Sequence, residues 1–247
     1  MPTGISARTR APLHLIAGGR GAERPRGADP LLQAVIHTVN HPNPSIAYLG
    51  AASGDNRAFF LWISRLLKTA GAGKVTLAPL CGRKADPVAA QAIIKEADIV
   101  FVSGGDVEEG MRVLSETRIL PFLRRLHDAG KVFFGVSAGS IMLARSWVRW
   151  RDPKDDATAE TFPCMDFAPV LCDTHGEGEG WGELKALLAL EKVGTVGYGI
   201  VSGSALVVRS NGTVAAAGGE VAVYRRGKTG VAQQKSLRPT AARKKGG

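Results

Sequence analysis

Short apolar runs rich in Val and Ile recur along the chain and alternate with stretches whose apolar residues repeat at helical spacing. The run Ile99–Val102 is apolar throughout, and Val132–Val136 is apolar except for one glycine. Strands without a polar face are typical of parallel sheets that helices cover on both sides. The alternation therefore predicts an α/β fold, with a mostly parallel central sheet flanked by helices on both faces.

Three helix starts are marked by residues whose side chains can cap a first turn, and two of them are followed by proline. These starts lie at Asp29-Pro30, Asn56 and Asp86-Pro87. After Asn56 the apolar residues repeat with a period near 3.6. We expect the three helices to end near residues 39, 68 and 97.

The C-terminal part of the chain has a different pattern. Two apolar stretches, 205–209 and 213–217, flank Asn211-Gly212, a pair that is typical of tight hairpin turns. A third stretch follows at 221–224. Together they predict a C-terminal antiparallel hairpin that continues as a meander.

The length of 247 residues is enough for one large α/β domain with a full core. We predict a single α/β domain at 13–226, a disordered N-terminal arm at 1–12 and a basic flexible tail at 227–247. Within the domain, the charged stretch 147–163 predicts an irregular insertion.

The net charge of +10 is concentrated at the C-terminus. Lys and Arg recur from 225 to 247 without any Asp or Glu, and the rest of the chain is almost balanced. This distribution indicates no specific nucleic-acid binding by the domain. The tail is expected to contact polyanions only weakly.

The cysteines and the hydropathy of the chain indicate the cellular compartment. Cys81, Cys164 and Cys172 are odd in number and lack the spacing of a metal site or a disulfide framework. No apolar run approaches the ~20 residues of a membrane span, and the first residues do not resemble a secretory signal. We expect a cytoplasmic protein that uses neither a metal nor an organic cofactor.

The sharpest chemical motif is G-V-S-A-G at 135–139, which matches the nucleophile-elbow pattern G-x-S-x-G. It lies between a predicted strand and a predicted helix, the context in which this pattern carries meaning. A serine on a tight turn needs small neighbours two residues away on each side, and Gly135 and Gly139 are small. Ser137 is therefore the candidate nucleophile, although a serine that merely packs in such a turn remains an alternative.

A serine nucleophile requires a base, and the chain has five histidines. His175 follows a short apolar strand, and site residues in parallel α/β sheets gather at the carboxyl ends of strands. It is also the one histidine after Ser137. We predict that His175 is the base. The acid that would orient its imidazole stays open among six carboxylates: Asp152, Asp155, Asp156, Glu160, Asp173 and Glu177.

A second loop of interest reads Ser103-Gly104-Gly105-Asp106 and joins an apolar strand to a helix. Two glycines allow backbone amides to approach a ligand closely, which suits half of an oxyanion hole. Asp106 is a candidate substrate-binding residue, and it also fits the N-cap of the helix that follows.

These motifs together resemble the dipeptidase E/cyanophycinase family of serine peptidases, which has the class I glutamine amidotransferase-like fold. The resemblance spans roughly residues 13–224. It rests on five segments in order, namely Tyr48-Leu49-Gly50-Ala51-Ala52-Ser53, Val102-Ser103-Gly104-Gly105-Asp106, the 135–139 motif, His175 and Gly197-Tyr198-Gly199-Ile200.

The resemblance implies a Ser-His-Asp triad of Ser137, His175 and Asp152, and an oxyanion hole formed by the backbone of Gly105 and Ala138. It implies cleavage near Asp residues, in short peptides or in the β-Asp-Arg polymer cyanophycin. Glu177 and Glu179 follow the histidine where the family often has Arg. As substrate-binding residues they would repel acidic substrates.

The sequence thus predicts a serine peptidase or amidohydrolase that acts on small peptides through an acyl-enzyme. Assembly into a homodimer is compatible with this assignment. An esterase on the same scaffold is one alternative. A non-catalytic binding domain is another, because the family's acidic residue after Gly-x-Gly-Ile is replaced by Val201-Ser202-Gly203.

Overall fold

The computed structural model describes residues 10–19 and 27–239. The helices in this part of the chain are Pro30–Ile36 (α1), Arg57–Thr69 (α2), Pro87–Glu96 (α3), Val107–Glu116 (α4), Leu120–Asp128 (α5), Ala138–Leu143 (α6) and Gly182–Ala189 (α7). The strands are Leu13–Ile16 (β1), Ile46–Leu49 (β2), Val75–Ala78 (β3), Ile99–Val102 (β4), Val132–Val136 (β5), Ser146–Trp150 (β6), Ala159–Pro163 (β7), Leu171–Thr174 (β8), Val196–Ile200 (β9), Ala205–Val208 (β10), Val214–Ala217 (β11), Val221–Arg226 (β12) and Val231–Leu237 (β13).

The central sheet has seven strands in the order β11-β10-β1-β5-β4-β2-β3. Strands β1, β5, β4, β2 and β3 are parallel, and β10 and β11 add an antiparallel hairpin at one edge. The predicted α/β fold with a mostly parallel sheet is confirmed. Parallel pairing brings the carboxyl ends of β1, β5 and β4 to the same edge of the sheet.

The central strands are apolar on both faces because each face has its own core. In β4, Val100 and Val102 belong to one buried cluster, whereas Ile99 and Phe101 belong to the other. Successive side chains of a strand point to opposite faces, so a strand between two helical layers has no polar position. This explains the apolar runs from which the fold was predicted.

The predicted helix caps form as expected. The Asp29 carboxylate accepts a hydrogen bond from the Leu31 amide at 2.8 Å, and the Asn56 side chain accepts one from Phe59 at 2.9 Å. Asp86 caps α3 in the same way. Because each cap satisfies an amide that has no partner within the helix, these residues fix where the helices begin.

The prediction of a C-terminal meander was correct for the β10–β11 hairpin and wrong for the strand after it. Strand β12 does not join the central sheet. It pairs antiparallel with β9, in a second sheet of order β13-β12-β9-β8. In this second sheet β8 and β9 are parallel, with Thr174 opposite Ile200. The carboxyl ends of β8 and β9 therefore lie side by side.

The predicted irregular insertion at 147–163 was also wrong. This stretch forms a two-stranded hairpin of β6 and β7, in which Trp147 lies opposite Phe162 and Arg149 opposite Glu160. The Arg149 guanidinium and the Glu160 carboxylate form an ion pair at 2.6 Å. These charged residues made the stretch look irregular in the sequence. In the structure they pair across the two strands.

The predicted basic tail begins too early at residue 227. Strand β13 pairs with β12 at the edge of the second sheet, which extends the ordered domain to Leu237. An edge strand satisfies its backbone on one side and leaves polar side chains in water, so a polar sequence is compatible with it. Residues 240–247 of the predicted tail, and 1–9 of the predicted N-terminal arm, lie outside the described residues.

Within residues 10–19 and 27–239, the model has no helix that combines the length and the apolar character needed to cross a membrane.

Candidate active site

Ser137 occupies a sharp turn between β5 and α6 with no intervening loop. Its backbone has φ +55° and ψ −125°, a region that side-chain-bearing residues seldom adopt. Such strain costs about 1–3 kcal/mol and persists where the surroundings impose it. The Ser137 amide donates to the Ile16 carbonyl oxygen at 2.9 Å, which ties the turn to the end of β1.

Close packing around the turn explains its glycines. A Cβ atom on Gly139 would lie 2.1 Å from the Val102 carbonyl oxygen, and one on Gly135 would lie 2.4 Å from the Gly139 carbonyl carbon. Neither position has room for a side chain. The G-x-S-x-G pattern thus lets α6 pass directly over the ends of β4 and β5.

The loop after β4 lies against this turn. A Cβ on Gly104 would lie 3.3 Å from the Ser137 Cβ, so the two backbones are in close contact. Gly105 has φ +144°, and a Cβ there would lie 1.9 Å from the Ala52 carbonyl oxygen. Asp106 caps α4 by accepting a hydrogen bond from the Glu109 amide at 2.8 Å. The N-cap interpretation of Asp106 is confirmed, and its role in substrate binding stays a prediction.

His175 directly follows β8 and has a positive φ of 64°. Its Nδ1 atom lies 3.0 Å from the Ser202 hydroxyl oxygen. At the same edge of the ring, a Cβ on Gly19 would lie 3.3 Å from the His175 Cε1 atom and 3.7 Å from Nδ1, so this edge packs against the loop after β1. His175 and Ser137 line the same cavity, as the sequence prediction requires.

Glu177 lies behind Ser202. Its carboxylate accepts a hydrogen bond from the Ser202 amide at 3.0 Å. Partial burial acts to raise the pKa of Glu177, but hydrogen bonds from Ser202 and the proximity of His175 keep that pKa below its ordinary value. Glu177 is therefore an anion at neutral pH, in the same loop as the candidate base.

Asp152 lies in the exposed turn of the β6–β7 hairpin. Its carboxylate accepts a hydrogen bond from the Lys154 amide at 3.0 Å, and its own amide donates to the Thr158 hydroxyl. In the described part of the chain, no hydrogen bond joins Asp152 to His175. The structure thus brings Ser137 and His175 to one cavity without adding Asp152, whose role as the acid stays a prediction of the resemblance.

The other carboxylates considered in the sequence also have partners elsewhere. Asp155 accepts a hydrogen bond from the Ala157 amide, and Glu160 pairs with Arg149. Asp173 is buried on β8, and this burial, together with the nearby Glu183, raises its pKa to about 7. Glu179 is exposed, and its role in substrate binding stays a prediction.

The cavity at Ser137 and His175 has a volume of about 360 Å³ and mostly apolar walls. One wall is formed by α2, where the rings of Phe59 and Trp62 stack with centroids 5.7 Å apart. The further apolar lining comes from α1, α2 and the central strands, and includes Leu31, Leu32, Ile63, Leu66, Phe101 and Val136. A pocket of this kind binds ligands through apolar contact and orients them with a few polar groups.

The model of peptidase family S51 matches residues 13–215, which is most of the chain. The chain belongs to peptidase family S51. It is a hydrolase of the serine peptidase type, and the predicted resemblance to dipeptidase E is confirmed at the level of the family.

Solved structures share the S51 fold with this chain. A peptidase from an acI-B1 Actinobacterium has a TM-score of 0.66 at 17% identity, covering 94% of this chain and 98% of that one. A putative peptidase E protein from Listeria monocytogenes EGD-e has a TM-score of 0.56 at 12% identity, covering 84% and 98%. At these identities the likeness establishes the fold alone. No match is found among curated proteins.

For this S51 peptidase, the sequence predictions missed Ser202, the residue bonded to the candidate base. A signal was present, because Val201-Ser202-Gly203 replaces the acidic residue expected after Gly-x-Gly-Ile. That replacement favoured a non-catalytic domain when the sequence was considered alone. The structure instead places a polar side chain, with a carboxylate behind it, where the imidazole needs a partner.

Proposed function

We propose that this S51 peptidase hydrolyses peptide bonds with Ser137 as the nucleophile and His175 as the base. The observation that carries the proposal is that a strained serine and a histidine line one cavity. Backbone strain of this kind is retained where function requires it, which favours catalysis over a domain that only binds.

The proposed reaction follows the chemistry of serine hydrolases. The Ser137 hydroxyl oxygen attacks the peptide carbonyl carbon while His175 accepts the hydroxyl proton. The negative oxygen of the tetrahedral intermediate is stabilised by the amides of Gly105 and Ala138. His175 then donates its proton to the leaving amine, and an acyl-enzyme forms. Water, deprotonated by His175, attacks the ester carbonyl carbon. The ester bond breaks, the carboxylic acid is released, and His175 returns the proton to the Ser137 oxygen.

The backbone around the proposed oxyanion site supports this assignment. Ala138 is the first residue of α6, so its amide has no acceptor within the helix. Gly105 lies next to Gly104, whose backbone packs on Ser137. Two amides near the serine, one from the elbow and one from the neighbouring loop, are the arrangement that G-x-S-x-G hydrolases use.

We further propose that the substrate carries a large apolar side chain next to the cleaved bond. The cavity beside Ser137 is walled by Phe59, Trp62 and Leu66, and Phe101 and Val136 also line it. Burial of apolar surface contributes about 25 cal/mol per Å², so an apolar side chain gains most in this cavity. This differs from the Asp preference that the resemblance implies.

The mechanism is tested by labelling the protein with a small fluorophosphonate and by assaying a peptide library. We expect one label per chain on Ser137, loss of label and turnover in Ser137→Ala, and nearly complete loss in His175→Ala. Ser210→Ala, which removes an exposed hydroxyl from the β10–β11 turn, is the control. Absence of label from the unmodified protein would favour the binding domain. Label with hydrolysis of esters but not of peptides would favour the esterase.

The substrate class is tested with matched peptides that have Leu, Phe or Asp at the cleaved residue. We expect kcat/KM to be highest for Leu or Phe, and Trp62→Ala to lower it about tenfold for these peptides, since loss of apolar contact costs about 1–3 kcal/mol. Val88→Ala, an exposed apolar residue that does not line the cavity, is the control. A preference for Asp that Trp62→Ala does not alter would contradict the proposed pocket.

A further inference from the structure

Among residues 10–19 and 27–239, the side chain at hydrogen-bond distance from the His175 imidazole is a serine. The Nδ1 atom of His175 and the Ser202 hydroxyl oxygen are 3.0 Å apart, at hydrogen-bond distance. In a serine hydrolase, the group bonded to Nδ1 fixes which nitrogen carries the proton. If Nδ1 carries a hydrogen that points at Ser202, the lone pair of Nε2 is free to accept the proton of the nucleophile.

Sheet register brings the two residues together. Strands β8 and β9 are parallel neighbours with Thr174 opposite Ile200, so both strands end at the same level. His175 is the first residue after β8, and Ser202 is the second after β9. The proximity follows from pairing within the second sheet.

The turn that carries Ser202 is fixed from two directions. The Ser204 amide donates to the Val201 carbonyl oxygen at 2.9 Å, which closes the turn. The Gly203 amide donates to the Gly18 carbonyl oxygen at 3.0 Å, and the Ala17 amide donates to that of Ser204 at the same distance. These bonds attach the turn to the end of β1, near Ser137, and thus hold Ser202 in place.

Glu177 supplies the negative charge that a hydroxyl lacks. Its carboxylate accepts a hydrogen bond from the Ser202 amide at 3.0 Å. A hydroxyl can accept one hydrogen bond and donate another, so Ser202 can accept from His175 and donate toward Glu177. A chain of polar groups then runs from the base to an anion, and each hydrogen bond polarises the next.

We propose that Ser202 is the positioning residue for His175, that its hydroxyl accepts the Nδ1 hydrogen, and that Glu177 is the carboxylate behind it. The proposal rests on the proposed function, because it assigns a role that matters only if His175 is the base. It replaces the Asp152 assignment, since the Asp152 carboxylate is engaged within its own turn. No proton leaves His175 through Ser202. The pair orients the imidazole and stabilises the imidazolium that forms when Ser137 is deprotonated.

The test compares Ser202→Ala, Ser202→Thr and Glu177→Gln with the unmodified enzyme, with Ser210→Ala as the control. General-base catalysis contributes about 10²–10⁴ in rate, so loss of the positioning hydroxyl should lower kcat by about tenfold to a hundredfold. KM should change little, because Ser202 does not line the cavity. Ser202→Thr retains a hydroxyl and should restore most of kcat. The kcat of Glu177→Gln should lie between that of the unmodified enzyme and that of Ser202→Ala.

A spectroscopic readout separates positioning from packing. The Nδ1 proton of His175 should give a downfield proton resonance that disappears in Ser202→Ala and in His175→Ala. It should persist in Ser202→Thr. If Ser202→Ala does not fold, the Thr and Gln variants still test the proposal through kcat and this resonance.

Three results would overturn the proposal. The first is a wild-type kcat in both Ser202→Ala and Glu177→Gln. The second is an equal loss in Ser202→Ala and Ser202→Thr, which would show that the site requires a particular packing. The third is a large loss of kcat in Asp152→Asn together with a nearly normal kcat in Ser202→Ala. Fluorophosphonate labelling keeps these results distinct from a failure of the proposed function, since label on Ser137 that requires His175 supports the function whichever residue positions the base.

Discussion

The two halves of the proposed catalytic pair are held in different ways. Ser137 lies in a turn where backbone packs closely on backbone, with β1, β4 and the loop after β4 around it. His175 is exposed at the end of a strand, and its side chain is bonded to Ser202, a residue 27 positions away. The candidate nucleophile is thus held mainly by close packing of its backbone, and the side chain of the candidate base by a hydrogen bond.

This difference predicts unequal tolerance to substitution. A steric contact with a backbone carbonyl cannot be relieved without moving a strand, and interiors are packed as densely as crystals. A hydrogen bond at the surface contributes only about 0.5–1.5 kcal/mol and leaves the backbone free to adjust. We expect substitutions in the elbow, residues 135–139, to lower the stability of the protein. Substitutions in the histidine loop, residues 175–181, should lower kcat while the fold is retained.

The largest expected effect is that of a single methyl group at the elbow. In Gly139→Ala the new Cβ would lie 2.1 Å from the Val102 carbonyl oxygen, so α6 or β4 must shift. Overpacking typically costs about 1–3 kcal/mol and occasionally more, which is several degrees in Tm for a chain of this size. Thermal unfolding by calorimetry measures the change.

The matched control adds the same methyl group to the histidine loop. In Gly178→Ala the new Cβ meets no heavy atom within 4 Å, and the position has no positive φ. A surface change of this kind is expected to stay within about 0.5 kcal/mol. Equal Tm values for the two variants would show that the elbow relaxes easily and would remove the contrast between the two regions.

The same contrast explains which features could be predicted from the sequence. The elbow, the helix caps and the parallel strands depend on neighbouring residues, such as the Asp29 cap and the glycines around Ser137. Their signals are local, so a short stretch of sequence contains them. The fold class and the candidate nucleophile, Ser137, were predicted from these signals.

Features that depend on distant partners were missed. The charges of Arg149 and Glu160 concealed the β6–β7 hairpin, since their pairing is visible only across the two strands. The polar segment Val231–Leu237 forms strand β13 because it pairs with β12 at the edge of the second sheet. Ser202 acquires its proposed role from the register of β8 and β9. The two strand pairings have no local signature in the sequence. The replacement of an expected acidic residue at 201–203 was a signal for Ser202, but it did not reveal the contact with His175.

A smaller expected effect is a change of stability with pH, which arises from a residue on the strand before His175. Asp173 is buried on the strand that ends at His175, and burial, with a contribution from Glu183, raises its pKa from an ordinary value of 3.8 to about 7. Between about pH 4 and about pH 7 the folded protein therefore binds a proton at Asp173 that the unfolded chain has released. By linkage, this group makes the free energy of unfolding fall as the pH rises through that window, and its contribution is constant above it.

Asp173→Asn removes the titration while retaining an oxygen that can accept the hydrogen bond from the Thr174 amide. Relative to the unmodified enzyme, the variant should gain stability as the pH rises from about 4 to about 7. His14 and His127, whose pKa values burial lowers to about 4, act in the opposite direction, but they are present in both proteins and cancel in the difference. Asp156→Asn, at an exposed carboxylate, is the control. Parallel curves of Tm against pH for Asp173→Asn and the unmodified enzyme would show that Asp173 is ionised in the folded state. A divergence confined to this window would show that the folded protein holds a protonated carboxyl group at Asp173, on the strand that ends at His175.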